Sequence, residues 1–168
     1  MPAKDVNTLT NQAGPIIRAL AAVREQSRRP LSMATQEGRF RIQKTVYLLR
    51  HLGYPPAQKY QFNLYHMGPY SPNLADAYYA VGEEGLRQAS RTPARDIPPN
   101  HLSVVCEALS RPDHFLEGLT TVLDVWRVCH DLKMALPQAQ SIKPRLESAT
   151  WKEVRRFLTD HPALTQLT

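Results

Sequence analysis

Apolar residues recur at intervals of three and four through most of the chain, and at an interval of two in one short stretch. Ile16, Leu20 and Val23 repeat at helical spacing with Arg18, Arg24 and Glu25 turned away. That spacing predicts a helix over about 15–27, opened by Gly14-Pro15 and ended by Pro30. A second helix is expected over 39–52, with Ile42, Val46, Leu49 and Leu52 on one side and Arg39, Gln43, Lys44, Tyr47, Arg50 and His51 on the other. Gly53 and Pro55-Pro56 stop it. Between 60 and 66 the period changes. Tyr60, Phe62 and Leu64 alternate with Gln61, Asn63 and Tyr65, which predicts a short strand.

Gly68-Pro69 then predicts a turn, and Ser71-Pro72 a helix start. The serine hydroxyl can accept an otherwise unpaired amide, and proline fits a position whose N–H is not needed. Leu74, Tyr78 and Val81 form the buried stripe of this helix, expected to end near Gly82 or Gly85. The stretch 91–100 holds Pro93, Pro98 and Pro99 and reads as a surface connection, too short to divide the chain. Beyond it, Leu102, Val105 and Leu109 mark one helix, and Leu116, Leu119, Leu123 and Trp126 a longer one capped near Asp113. Thr150 with Glu153 forms a capping box ahead of Val154 and Leu158, and His161-Pro162 closes the last helix. The expected fold is one mainly α domain over 1–168, with C-terminal helices over 100–168. It carries a small β element, a short strand or a hairpin of winged-helix kind.

Composition supports a packed domain: 42% of the 168 residues are hydrophobic. A chain of this size hides roughly 70% of its unfolded surface without needing a metal or disulfide. Cys106 and Cys129 fit no zinc or redox spacing, which agrees with a reducing compartment. No run approaches the roughly 18 apolar residues of a membrane span, and Met1–Asp5 lacks an apolar signal core. A cytoplasmic protein without membrane contact is therefore expected. The net charge of +6 is unevenly placed. From Arg18 to Lys59, nine basic residues face two acids, a balance of +7, and the rest of the chain sums to −1. Such a field favours an anionic partner, nucleic acid or an acidic protein face, although a solvated surface gives the same pattern.

Few residues form a constellation with chemistry. Cys129-His130-Asp131 are helix neighbours pointing about 100° apart, so they cannot relay a proton among themselves. A nucleophile built from Cys106 with His130 would need the two to meet in space. The six histidines show no metal-ligand spacing, and no glycine-rich turn leads into a lysine-bearing helix. No catalytic residue, metal or cofactor is expected. Two surfaces remain. The turn Tyr65, His66, Met67, Gly68, Pro69, Tyr70 and Ser71 either fixes a bend with its rings plugged into the core or presents them to a partner. The basic segment, with Arg18, Arg24, Arg28, Arg29, Arg39, Arg41, Gln43, Lys44, Tyr47 and Arg50, offers the groups that contact phosphates and base edges. Among Tyr47, Tyr54, Tyr70, Tyr79 and Trp151, any that is exposed is a candidate for an interface.

The run Ile42-Gln43-Lys44 with Tyr47, followed by Tyr65-His66-Met67-Gly68-Pro69-Tyr70, resembles the pattern of YwgA-like bacterial and archaeal proteins. More distantly, it resembles the SocA-like (Panacea) antitoxin domain. The core motif region is 39–82, and Ser141-Ile142-Lys143-Pro144-Arg145-Leu146 is similar to the segment before the last helix in YwgA-like proteins. Thr45 stands where an aliphatic residue is usual. The resemblance implies a helical, non-enzymatic domain that binds a protein partner, a toxin or a regulator. The basic helix and the Gly68-Pro69 turn would form its contact surface. The alternative is DNA or RNA binding through the basic 18–59 segment.

Overall fold

The computed structural model describes residues 6–29 and 31–166; the Met1–Asp5 segment and Pro30, both named above, lie outside the described residues. Seven α-helices and one two-stranded antiparallel sheet are found among the described residues, so the fold is mainly α with a small β element. Helix α1 spans Val6–Ser27 and packs along α3, Pro72–Ala89. It begins well before Gly14-Pro15, and Pro15 lies inside it. Burial of Ala13, Ile16 and Ile17 against the core outweighs the hydrogen bond that proline removes.

Helix α2, Gln36–His51, opens where the Thr35 hydroxyl accepts from the Gly38 amide at 3.0 Å. Gly38 is dictated by crowding, because a Cβ there would stand 1.9 Å from the Ser32 carbonyl oxygen. A single 3₁₀ turn, Pro55–Ala57, follows the break at Gly53. Strand β1 covers only Asn63–Tyr65, shorter than the alternating pattern suggests. Gly68-Pro69 is not a bend but part of a second strand, β2, Gly68–Tyr70. The register pairs Asn63 with Tyr70, Leu64 with Pro69 and Tyr65 with Gly68, so the turn itself is His66-Met67. Proline is tolerated in β2 because the pair next to the one closing a two-residue turn needs no ladder N–H. The hairpin lies against α2 and α5 rather than standing out as a wing.

Ser71 starts α3 as expected, its hydroxyl accepting from the Leu74 amide at 3.3 Å with Pro72 in the first turn. The helix continues to Ala89, past the expected end, through a kink at Gly82. Helix α4 spans Pro99–Leu109 and α5 Asp113–Cys129. Helix α5 is buried from Phe115 to Leu123 without interruption, and α2, α6, α7 and β2 all pack on it. Helix α6, Leu132–Ile142, was not legible in the periodicity, and Pro137 lies inside it. Asp131 caps it by accepting from the Lys133 amide at 2.9 Å, and Ala135, Leu136 and Ala139 seat it on α5. Helix α7, Ser148–Asp160, starts before Thr150, so the capping box does not form and Thr150 is instead a buried helical residue. A final 3₁₀ turn covers Pro162–Thr165.

Candidate functional site: a clamped hairpin and its aromatic cleft

A two-stranded hairpin is at best marginally stable alone in water, so this one must be held from outside. Its supports come from three separate segments. Gln43 on α2 grips Ser71 at both ends of its amide, donating to the Ser71 carbonyl at 3.0 Å and accepting from the Ser71 N–H at 2.9 Å. Lys44 donates to the Pro69 carbonyl at 2.8 Å. Lys143, just past α6, donates to the carbonyls of Tyr65, at 3.1 Å, and His66. Glu117 on α5 balances these cations: its carboxylate lies 3.2 Å from Lys143 and 3.4 Å from Arg145. Lys44, Gln43, Glu117 and Lys143 are all buried.

The close approach also explains Gly68. It has φ +90°, and a Cβ there would stand 3.0 Å from the Lys44 amine and 3.3 Å from the Thr120 hydroxyl. Burial, with the Lys143 charge acting in the same direction, pulls Lys44 down to about 7 despite the attraction of Glu117 and Asp124. The Thr120 and Thr121 hydroxyls donate to the Leu116 and Glu117 carbonyls one turn back, each at 2.7 Å.

This arrangement corrects the expectation of an exposed basic face on α2. Lys44 is 2% exposed, and Arg41, Gln43 and Tyr47 are equally enclosed. The hairpin, α4 and α5 cover the side that a helical wheel assigns to solvent. The enclosed Arg41, Gln43, Lys44 and Tyr47 side chains each make at least one hydrogen bond. Arg41 donates to the carbonyls of Leu109, at 2.7 Å, and Arg111, at 3.2 Å, and lies 2.8 Å from Asp113 and 3.5 Å from Glu37. The Tyr47 hydroxyl donates to Asp124 at 3.2 Å, and burial pushes its pKa well up. Arg39 and Arg50 are half-buried, and Arg39 donates to the Met33 carbonyl at 2.8 Å. Arg18 and Arg24 sit on α1 and Arg28 and Arg29 just after it, where Arg29 reaches the Ser110 carbonyl. None of these four lines the cleft beside the hairpin.

That cleft, of about 640 Å³, is where the exposed aromatic residues gather. By register, Tyr65, Gly68 and Tyr70 share one face of the hairpin. The two rings meet edge to face, with centroids 5.6 Å apart, and both are exposed, Tyr65 by 50%. The core-plugging alternative for these rings therefore does not hold, while Gly68 and Pro69 are buried. Across the cleft, α3 supplies Tyr78 and Tyr79 and α2 supplies Phe40, Gln43 and Lys44. Tyr79 is 62% exposed, and Met67 at the turn is exposed too. Tyr78 lies beneath, and burial pushes its hydroxyl up to about 12. Arg39, His66, Glu37 and Asp113 complete the rim. A cleft of this size, in which five aromatic rings stand among polar and charged side chains, has the make-up of a binding site.

Several of these residues escaped the sequence reading. Glu117 was not singled out in the sequence. Lys143 entered only through the similarity of its segment, and Phe40 was not singled out, whereas Met67 belonged to the candidate turn and Tyr79, an interface candidate, is exposed. Tyr54 and Trp151, weighed as interface candidates, are buried. Cys106 is half-buried with its thiol toward the Val23 carbonyl, and burial pushes it up to about 11, away from the thiolate a nucleophile needs. Cys129 ends α5, and His130 closes that helix in the left-handed conformation at φ 54°. No group of three metal-ligating side chains occurs, and no helix is long and apolar enough to cross a membrane, both among the described residues. No family model matches this chain, and no curated protein and no solved structure does either.

Proposed function

We propose that this chain is a non-enzymatic interaction protein of the SocA/YwgA type, which it resembles, acting by binding a protein partner such as a toxin or a regulator. The observation that supports this reading is the clamped hairpin. Buried cations fix its backbone carbonyls, while Tyr65, Met67 and Tyr70 point outward beside Tyr79 over one cleft. Rigid aromatic side chains held in place before binding lose little entropy on complex formation and dominate interface energetics. The contact surface is therefore the hairpin face and α3, with Arg39 at its edge, rather than the whole of α2.

Affinity capture of the tagged protein from its own cells tests the reading. A stoichiometric protein partner is expected, retained by Lys59→Ala and lost with Tyr65→Ser or Tyr79→Ser. Recovery of nucleic acid alone would refute it. Nucleic-acid binding is the weaker reading, because two of its phosphate contacts, Arg41 and Lys44, are enclosed and engaged with protein carbonyls. It predicts affinity that falls by roughly one log unit per log of salt for each phosphate neutralised.

A further inference from the structure

The cleft carries a charge pattern that narrows what enters it. Two carboxylates and two basic groups stand on its rim, and they are not equivalent. Glu37 and Asp113 are both engaged with the buried Arg41 guanidinium, at 3.5 Å and 2.8 Å. Among the described residues, Arg39 donates to a neutral carbonyl, that of Met33, and no carboxylate lies within ion-pair distance of it. His66, at the tip of the hairpin, is exposed. Arg39 therefore offers a place for one negative charge, next to rings that bury an apolar side chain.

From this we propose that the cleft takes an extended segment of a partner protein in which an aromatic or large aliphatic side chain is flanked by a carboxylate. The ring or aliphatic group enters between Tyr70 and Tyr79, and the carboxylate pairs with Arg39 and His66. This rests on the protein-binding reading above and names the chemistry of what is bound. A nucleic-acid strand fits the same walls less well. It carries a charge on every unit and would be drawn past Glu37 and Asp113, whereas a peptide can place a single carboxylate opposite Arg39.

Selection of phage-displayed random dodecapeptides on the intact protein, with counter-selection on Tyr79→Ser, tests the proposal. Enriched peptides are expected to carry an aromatic or large aliphatic residue within three positions of Asp or Glu. Synthesised and labelled, they should bind at least ten-fold more weakly to Tyr79→Ser and to Arg39→Glu, and Arg39→Glu should favour their Lys-for-acid versions. Both variants change exposed or half-buried side chains, and circular dichroism verifies that they fold. Enriched peptides that are basic, or indifferent to both substitutions, overturn the proposal. So does tighter binding of labelled oligothymidylate that is lost with Tyr79→Ser. If peptide selection fails while partner capture still depends on Tyr65 and Tyr79, the acidic-segment proposal falls and the protein-binding reading stands. If capture fails as well, both fall.

Discussion

The α1–α3 pair and the α2–hairpin–α5 region are held together by different physics. Helices α1 and α3 pack together, and Ala13, Ile16, Ala19, Leu20 and Val23 of α1 and Leu74, Ala77 and Leu86 of α3 are all buried apolar residues. The other region buries Arg41, Gln43, Lys44, Glu117 and Lys143 among its apolar residues. Apolar layers accept many side chains of suitable volume and specify geometry loosely. A buried polar network is favourable in few arrangements, because any lost partner leaves a desolvated charge. The molecule places the second kind of packing beneath the hairpin that carries the exposed rings of Tyr65 and Tyr70.

Substitutions can break this contrast or sharpen it. The largest effect is expected for Glu117→Leu, which leaves Lys143 buried without its carboxylate and should cost about 4 kcal/mol in urea unfolding. The double variant Glu117→Leu with Lys143→Met should recover much of that loss. On the apolar side, Leu20→Ala should cost about 3 kcal/mol and Leu20→Met less than about 1.5. If Glu117→Gln proves as harmless as Leu20→Met, the two regions do not differ in the way described. Gly68→Ala should cost about 2 kcal/mol, from its positive φ and the approach to Lys44, and should weaken partner binding by disturbing the hairpin.

The response to pH is smaller and has a defined sign. Lys44 titrates near 7 in the folded protein and at its ordinary 10.5 in the unfolded chain. Between those values the unfolded chain holds a proton the folded one lacks, so stability rises with pH, by at most about 1.4 kcal/mol per unit. Urea midpoints at pH 7, 8 and 9 should climb in the wild type and flatten in Lys44→Met. This window lies below the ionisation of the buried tyrosines, which acts in the opposite direction. The least effect is expected for Glu84→Gln, which breaks the exposed pair with Arg87 and should shift stability by under about 0.5 kcal/mol.

Legibility in the sequence follows the same division. Helix α5, the apolar stripe of α2 and the Ser71-Pro72 start of α3 were readable because burial there follows helical periodicity and a local cap. The second strand was not, since Gly68-Pro69 satisfies the requirements of a turn equally well. Nor was the polar interior. A helical wheel sorts Gln43 and Lys44 outward by residue type, whereas their burial depends on Ser71 and Pro69, 28 and 25 residues away. Even so, the three quoted segments, Gln43-Lys44, Gly68-Pro69 and Lys143-Pro144, are those that meet at the hairpin. The cleft itself depends on Tyr79, Phe40 and Met67 sharing one side of three elements, which no local pattern records.

Lys143 follows Tyr65, whose carbonyl it holds, by 78 residues. At about 5–20 residues per second of translation, roughly 4–16 s pass between synthesis of the hairpin and synthesis of its last support. At the start of that interval Tyr65 and Tyr70 ride on a ribbon that has Lys44 and Gln43 but neither Glu117 nor Lys143, and Glu117 arrives before Lys143. The hairpin and its cleft thus mature late on the ribosome, once the chain has extended through α6.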